Sequence, residues 1–417
     1  MNLENRHILL IAYVFPPYYG IGGRRWAKHA DELTRLGYII HVICAKNPFN
    51  EVSLWHEMVK KNKNIIVHQL PSYYPNVFVN YEHNFIQKIQ YKIYSVILPM
   101  IVKGSIYDRT KFWKKPMLAK ASEIIASHNI KQVICTGGPF GVMYHSTFLK
   151  QKFKGLFLMN DFRDPWTWGP NWGYPSLNAN RMAYEKKLER NTIKSSDLIT
   201  VPNSEMLRYL HNHYPEYKNK IIELPHFYDA AELSAPLKTK SDKIRLVYYG
   251  NIYHDIEKYL NITAEFLEKH KHKFTFDIYT DKKHHKPFFR RHNATNVITF
   301  PQLPAHQLFK RFSQYDYVLI HNPPYNKNNI STKFFEILFS KTPIILFSET
   351  GAASEFLENN RLGIAVNENN FEKKMLDLFY KKDFVFNESY NISEYEIKKV
   401  ALRISNLLST SLPGNKL

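Results

Sequence analysis

The sequence predicts an α/β protein made of two doubly wound domains, on three observations. Short apolar runs alternate with helix-patterned segments along nearly the whole chain. A polar, proline-containing stretch over residues 221–243 divides that alternation into two series. The length, 417 residues, calls for two or three domains at roughly 150 residues each.

The first series opens with HILLIAYVF from His7, a continuous apolar run of the kind expected when helices cover both faces of a parallel strand. PPYYGIGG breaks it. Arg24 to Leu36 then carries apolar residues at helical spacing, Gly37 stands where a C-terminal cap belongs, and YIIHVICA reads as the second strand. KQVICTGGPF, GLFLMNDFRDPW and SDLITVP read as further strands, with EMLRYLHNHY as a helix. The second series runs through IRLVYYG, a helix around Tyr259–Lys269, FTFDIYT, NVITF, DYVLIHN, a helix at Lys333–Ser340, PIILF and a helix at Ala353–Asn359. The expected domains are 1–230 and 240–394, with 395–417 crossing back onto the first as a helix. In such sheets ligands sit at the carboxyl ends of the strands, so the two domains are expected to face a central cleft.

Composition excludes several classes. At 44% hydrophobic and 23% charged residues the chain is an ordinary globular protein. Fifty-seven Lys and Arg against 37 Asp and Glu leave +20, which favours phosphates, nucleic acid or an acidic membrane surface. No nucleic-acid recognition motif accompanies the charge, so no nucleic-acid partner is expected. Cys44 and Cys135 cannot make a disulfide framework and fit a reducing compartment. The first apolar run, residues 8–15, is too short for a signal peptide core or a membrane span, so the expected location is cytoplasmic.

Three loops carry the candidate chemistry. Glycine is scarce, 15 in 417, and the cluster Gly20-Ile21-Gly22-Gly23 followed by Arg24-Arg25 offers backbone N–H groups, a helix start and two guanidinium groups to an anion. A dinucleotide fingerprint would need glycine at Arg25 and an acidic residue after strand two, where Ala45-Lys46-Asn47 stands. That argues against NAD, and a bare tight turn is the other reading. The loop Asn160–Trp166 brings Asp161, Arg163 and Asp164 to a strand end, where carboxylates orient or deprotonate a hydroxyl and Arg holds phosphate, or where the pair merely stitches loops. The third, STKFFE, puts Ser331, Thr332 and Lys333 at a helix start and Glu336 one turn on, able to accept from a ribose diol or simply solvated.

Residues 84–115 stand apart. Apolar side chains interleave with seven bases, among them Lys88, Lys92, Lys103, Arg109 and Lys111, against the single acid Asp108. Pro99 is expected to interrupt any helix there. The stretch reads as a basic amphipathic patch for an anionic membrane or a lipid-linked substrate, or as a buried helix pair with its lysines in water. The pairs His284-His285 and His211/His213 read as surface histidines, and no metal site is expected.

Taken together, ILLIAYVFPPYYGIGGRRWAKHADELTRLGYIIHVI, ICTGGPFG, NDFRDPWTW, SSDLITVPNSEMLRYL, KIIELPHFYD, IRLVYYGNIY and TKFFEILFSKTPIIL with Glu355 beyond resemble the nucleotide-sugar-dependent glycosyltransferases of the GT-B fold, specifically the large retaining family four. DFRDPW resembles a signature of a subset of bacterial surface-polysaccharide transferases. The resemblance implies two Rossmann-like domains and a UDP- or GDP-sugar donor. It also implies a lipid-linked or glycan acceptor, retention of configuration and no metal or other cofactor. It places Gly22, Gly23 and Arg25 by the donor diphosphate, Ser331, Thr332 and Lys333 near the phosphates, Glu336 on the ribose, and Asp161, Arg163 and Asp164 at the reaction centre. Asn251 follows Gly250 where the family has an arginine, which His254 or Lys258 would replace, and Asn328 stands where a first glutamate would precede Glu336 by eight positions. A nucleotide-sugar epimerase on the same scaffold, or a silent binding paralogue, are the alternatives.

Overall fold

The computed structural model describes residues 6–79, 84–168, 177–233, 241–252, 254–280, 295–328, 330–381 and 384–410. They form two compact units, Met1–Pro225 with Ile397–Leu417, and His226–Glu396. The first boundary falls a few residues before the expected one. His226 onward already belongs to the second unit, where Tyr228 N–H donates to the Tyr395 carbonyl at 2.9 Å.

In the first unit, β1 (His7–Ala12), α1 (Arg24–Arg35), β2 (Ile39–Ala45), α2 (His56–Lys61) and β3 (Ile65–Leu70) are followed by α3 (Phe85–Ile101), α4 (Lys114–Ser127), β4 (Gln132–Thr136), α5 (Gly141–Lys152), β5 (Phe157–Asp161), α6 (Ala179–Ser195), β6 (Leu198–Val201), α7 (Ser204–His213) and β7 (Ile221–Glu223). The strands pair in parallel in the order β3-β2-β1-β4-β5-β6-β7. Ile8 through Ala12 are all buried, which accounts for the unbroken apolar run of β1. Trp26, Ala27, Ala30 and Leu33 bury the inner stripe of α1, and Gly37, at φ 89°, ends it. There Tyr38 N–H bonds the Leu33 carbonyl at 3.1 Å and Gly37 N–H the Thr34 carbonyl at 3.0 Å, the two bonds of a Schellman cap.

Pro99 does not break α3. It lies in the last turn of the helix, where one missing N–H costs little. The segment is anchored instead by Arg181, whose guanidinium donates to the Pro99, Val102 and Gly104 carbonyls. Asn84 and Gln87 close a capping box at the other end.

The second unit comprises β8 (Ile244–Tyr249), α8 (His254–Lys269), β9 (Phe274–Thr280), β10 (Val297–Pro301), α9 (Ala305–Lys310), β11 (Tyr317–His321), α10 (Thr332–Phe339), β12 (Ile344–Phe347), α11 (Ala352–Asn359), β13 (Gly363–Val366) and α12 (Phe371–Tyr380). Its parallel order is β10-β9-β8-β11-β12-β13. The final helix, α13 (Ile397–Thr410), belongs to the first unit. There Ser405 Oγ lies 3.0 Å from the Tyr38 hydroxyl, and the Leu408 carbonyl accepts from Gln132 Nε2 at 2.5 Å.

Candidate functional site

Each sheet reverses its strand order once, between β1 and β4 in the first unit and between β8 and β11 in the second. At such a switch point the flanking loops diverge and leave a crevice at the carboxyl ends of the strands. Both crevices are lined by loops singled out from the sequence.

In the first unit, the turn Ile21–Gly23 leads directly into α1, whose first N–H groups receive no side-chain cap. The two arginines at this turn part company. Arg25 points inward, with Nε 3.1 Å from Asp161 Oδ2 and its Nη atoms donating to the Leu224 and Pro225 carbonyls at 2.9 and 3.1 Å. Asp161 is wholly buried and accepts further bonds from Trp26 Nε1, Thr200 and Thr136 at 2.7, 2.8 and 3.3 Å. Burial alone would raise its carboxyl, but the Arg25 charge and these hydrogen bonds outweigh it and hold the group below the usual carboxylate range. The expected roles of Arg25 on phosphate and Asp161 on a substrate are therefore corrected: both are spent on each other, tying β5, α1 and the chain after β7 together.

Arg163 is a clamp of another kind. Its guanidinium donates to the Gly22 carbonyl and, at 3.1 Å, to that of Gly138, joining the loops after β1, β4 and β5. Gly138 has φ 84°, and a Cβ there would lie 2.5 Å from Nη2, so only glycine admits the clamp. Asp164, 3.4 Å from Arg163 Nε, keeps about a quarter of its side chain exposed. Burial pushes its carboxyl up and Arg163 opposes the rise. Of the three residues predicted for this loop, Asp164 is the most exposed.

Two assignments from the basic stretch are also corrected. Lys111 lies inside, 3.3 Å from Glu185 Oε1 and 3.8 Å from Asp108 Oδ2, and Glu185 in turn accepts from Ser105 N–H and Trp166 Nε1. Arg109 sits over the Tyr13 ring and donates to the Tyr18 hydroxyl at 2.8 Å. Both side chains are engaged within the protein. Lys88, Lys92 and Lys103 are exposed.

In the second unit, Lys333 enters the switch-point crevice from the first turn of α10. Its ammonium donates to the Tyr249 carbonyl at 3.0 Å, lies 4.9 and 5.9 Å from the Tyr249 and Tyr248 ring centroids, and passes over Gly250. A Cβ on Gly250, whose φ is 123°, would come within 2.5 Å of Nζ. Burial lowers the Lys333 pKa, and Glu336 pulls against it. Glu336, almost entirely buried, lies one turn further along α10, behind Ser331 and Thr332 at the partly exposed helix start. Asn251 is partly exposed, and its carbonyl accepts from the Tyr248 hydroxyl at 2.9 Å.

Asn328 caps α11 by accepting from Ala352 N–H at 2.8 Å, which gives it a structural task at the position where the resemblance has a glutamate. Lys258, one candidate for the missing arginine, is paired with Glu368 at 2.7 Å; the His254 side chain and His284-His285 lie outside the described residues. His211 and His213 bond the Ile221 and Tyr209 carbonyls.

Sequence reasoning missed His321 at the end of β11. It is buried among Tyr248, Tyr259 and Phe347, neither ring nitrogen has a hydrogen-bond partner, and burial with the Lys333 charge lowers its pKa to about 3. A histidine closing an otherwise apolar strand was the available signal.

No protein-family model and no curated protein gives a significant match to the chain. Solved structures do match. A glycosyltransferase from Rickettsia africae is similar over 99% of this chain and 100% of its own, with a TM-score of 0.63 and 15% identity. The Anabaena protein HepE, solved with UDP and glucose, covers 97% and 99% at a TM-score of 0.61 and 10% identity. A Listeria monocytogenes protein named as a UDP-N-acetylglucosamine 2-epimerase covers 99% and 98% at 0.56 and 12%. The chain thus shares the two-unit α/β fold of the GT-B glycosyltransferases.

Proposed function

We propose that the protein is a glycosyltransferase that moves a sugar from a UDP- or GDP-sugar to a lipid-linked or glycan acceptor in bacterial surface polysaccharide synthesis, with retention and without a metal. The observation that carries the reading is the cradle of Lys333 over Gly250 at the β8–β11 switch point. A departing nucleoside diphosphate develops negative charge, and a fixed, poorly solvated ammonium beside a helix start stabilises that charge without reorganising. Glu336 then serves the ribose. In the first unit, the start of α1 and Asp164 serve the acceptor: a carboxyl raised by burial suits a group that exchanges a proton with a hydroxyl.

The test is incubation with a panel of nucleotide sugars and membrane extract, following nucleotide release and labelled product. Transfer that requires the extract supports the reading. No acceptor-dependent turnover with any donor removes it, and epimer formed without acceptor establishes the epimerase instead.

The acceptor side also includes α3. Phe85, Ile86, Ile89, Ile93, Val96, Ile97, Met100 and Ile101 are all exposed, which speaks against a buried helix pair. No helix among the described residues is long and apolar enough to cross a membrane. An exposed apolar helix flanked by Lys88, Lys92 and Lys103 suits the interface of an anionic bilayer. Beside it lies a groove of about 350 Å³, lined by Ser72, Tyr74, Asn76, Tyr94, Ile97 and Phe112 among others. Lys88→Gln with Lys92→Gln is expected to weaken binding to phosphatidylglycerol vesicles by about thirtyfold, at about 1 kcal/mol per charge, measured by flotation. Equal partition of both proteins onto charged and neutral vesicles would refute the docking.

A further inference from the structure

At the amino ends of the first unit's strands, opposite the candidate site, four imidazoles form a row. His7 opens β1, His41 lies in β2, His68 in β3, and His128 caps the end of α4. The ring centroids of His41 and His128 are 4.3 Å apart, those of His7 lie 5.2 Å from each, and His68 stacks 5.9 Å from His41. We propose that His7, His41 and His128 form a binding site for one divalent transition-metal ion of the zinc class.

The argument is geometric first. One nitrogen from each of the three residues lies within 4.8 Å of the others, and His7 Nδ1 is 2.9 Å from His41 Nε2. Ligand nitrogens on a tetrahedral zinc are about 3.4 Å apart, given Zn–N near 2.1 Å. The closest pair must therefore open by about half an ångström and the widest close by at most about 1.4 Å. The backbone supports this with little movement. The β1–β2 register, Leu9 opposite His41, holds two of the three Cα positions, while His128 is exposed and turns about a broad terminal torsion. Near-parallel rings, 11° for His7 with His128, become convergent through that rotation.

The donor chemistry selects the ion. Three imidazoles and no carboxylate in the set suit zinc, cobalt, nickel or copper rather than calcium or magnesium, and a fourth position is left for water. Neutral imidazole is the ligating form. A bound ion would join β1, β2 and the end of α4, making the site a staple of the sheet edge. This holds whether or not the protein transfers sugar.

The test is calorimetric titration of the intact protein with ZnCl₂, with Co²⁺ absorption to report coordination. The expected result is one ion per chain, four-coordinate cobalt bands and a raised unfolding temperature. Both surface variants, His128→Asn and His7→Asn, are expected to lower affinity by at least about tenfold and to abolish the thermal shift. A His211→Asn, His213→Asn control is expected to bind as the parent does. Absence of a saturable ion, or unchanged affinity in the His7→Asn, His128→Asn double variant, overturns the proposal.

Discussion

Asp161→Asn is expected to destabilise the first unit by about 3–5 kcal/mol, the cost of leaving a buried cation without its counter-charge. The substitution keeps the shape and most hydrogen bonds of the side chain, so the loss isolates the charge opposite Arg25, which is only 7% exposed. For a unit of this size the unfolding midpoint falls by roughly 10 °C, measured by calorimetry or circular dichroism. Adding Arg25→Met is expected to recover part of the loss, because the orphaned guanidinium goes with it. The acid limb is a second readout. Asp161 is held below its ordinary value of 3.8, so the unfolded chain takes up its proton first. The contribution is complete above about pH 4 and disappears as pH falls through the lowered native value, and Asp161→Asn removes that slope. Asp164→Asn behaves oppositely: it is expected to leave the midpoint within about 0.5 kcal/mol and to lower turnover, as a partly exposed residue in contact with substrate should. An Asp161→Asn protein of parent stability would show that its buried network is not what holds the loops.

The contrast between Asp161 and Asp164 shows where the sequence was legible. Periodicity located β1, β2, β4–β6 and β8–β12 with α1, α7, α8, α10 and α11, because apolar runs and Gly37 report burial and chain direction through the backbone itself. Strands β3, β7 and β13 and helices α2, α4–α6, α9 and α12 went unread, β7 within the stretch that reads as a linker. Side-chain direction at a loop is another matter. Arg24 and Arg25 are neighbours of one type, and which of them turns inward depends on Asp161, 136 positions away, and on two carbonyls after β7. Lys111 was indistinguishable from Lys103 until Glu185, from a distant helix, was placed beside it. The α3 stretch was ambiguous for a different reason. An apolar face reads the same whether protein or lipid covers it, and the difference appears only once Phe85, Met100 and their neighbours are seen outside the core. The helix start that carries Lys333 was legible locally, but its packing over Gly250 after β8 was not.

That cradle gives the second large effect. Lys333→Met is expected to lower kcat/KM for the nucleotide-sugar donor by about 10²–10³, the range for removing one preorganised stabiliser of developing charge. The ammonium is set by the Tyr249 carbonyl and by two tyrosine faces, so methionine retains the packing of the stem and removes the charge and its hydrogen bond to that carbonyl. Gly250→Ala should reproduce much of the loss with the charge intact, since its Cβ would sit 2.5 Å from Nζ and its φ of 123° disfavours any side chain. Glu336→Ala is expected to act on another part of the donor, weakening nucleotide binding by about 1–3 kcal/mol through lost hydrogen bonds to the ribose. Titration with the nucleoside and the nucleoside diphosphate separates the two. Lys333→Met should weaken only the diphosphate, because the nucleoside has nothing for an ammonium to neutralise, whereas Glu336→Ala should weaken both by the same factor. If Lys333→Met weakens nucleoside and diphosphate equally, the ammonium is supporting the loop and not the phosphates, and the charge that drives departure of the leaving group must come from elsewhere in the protein.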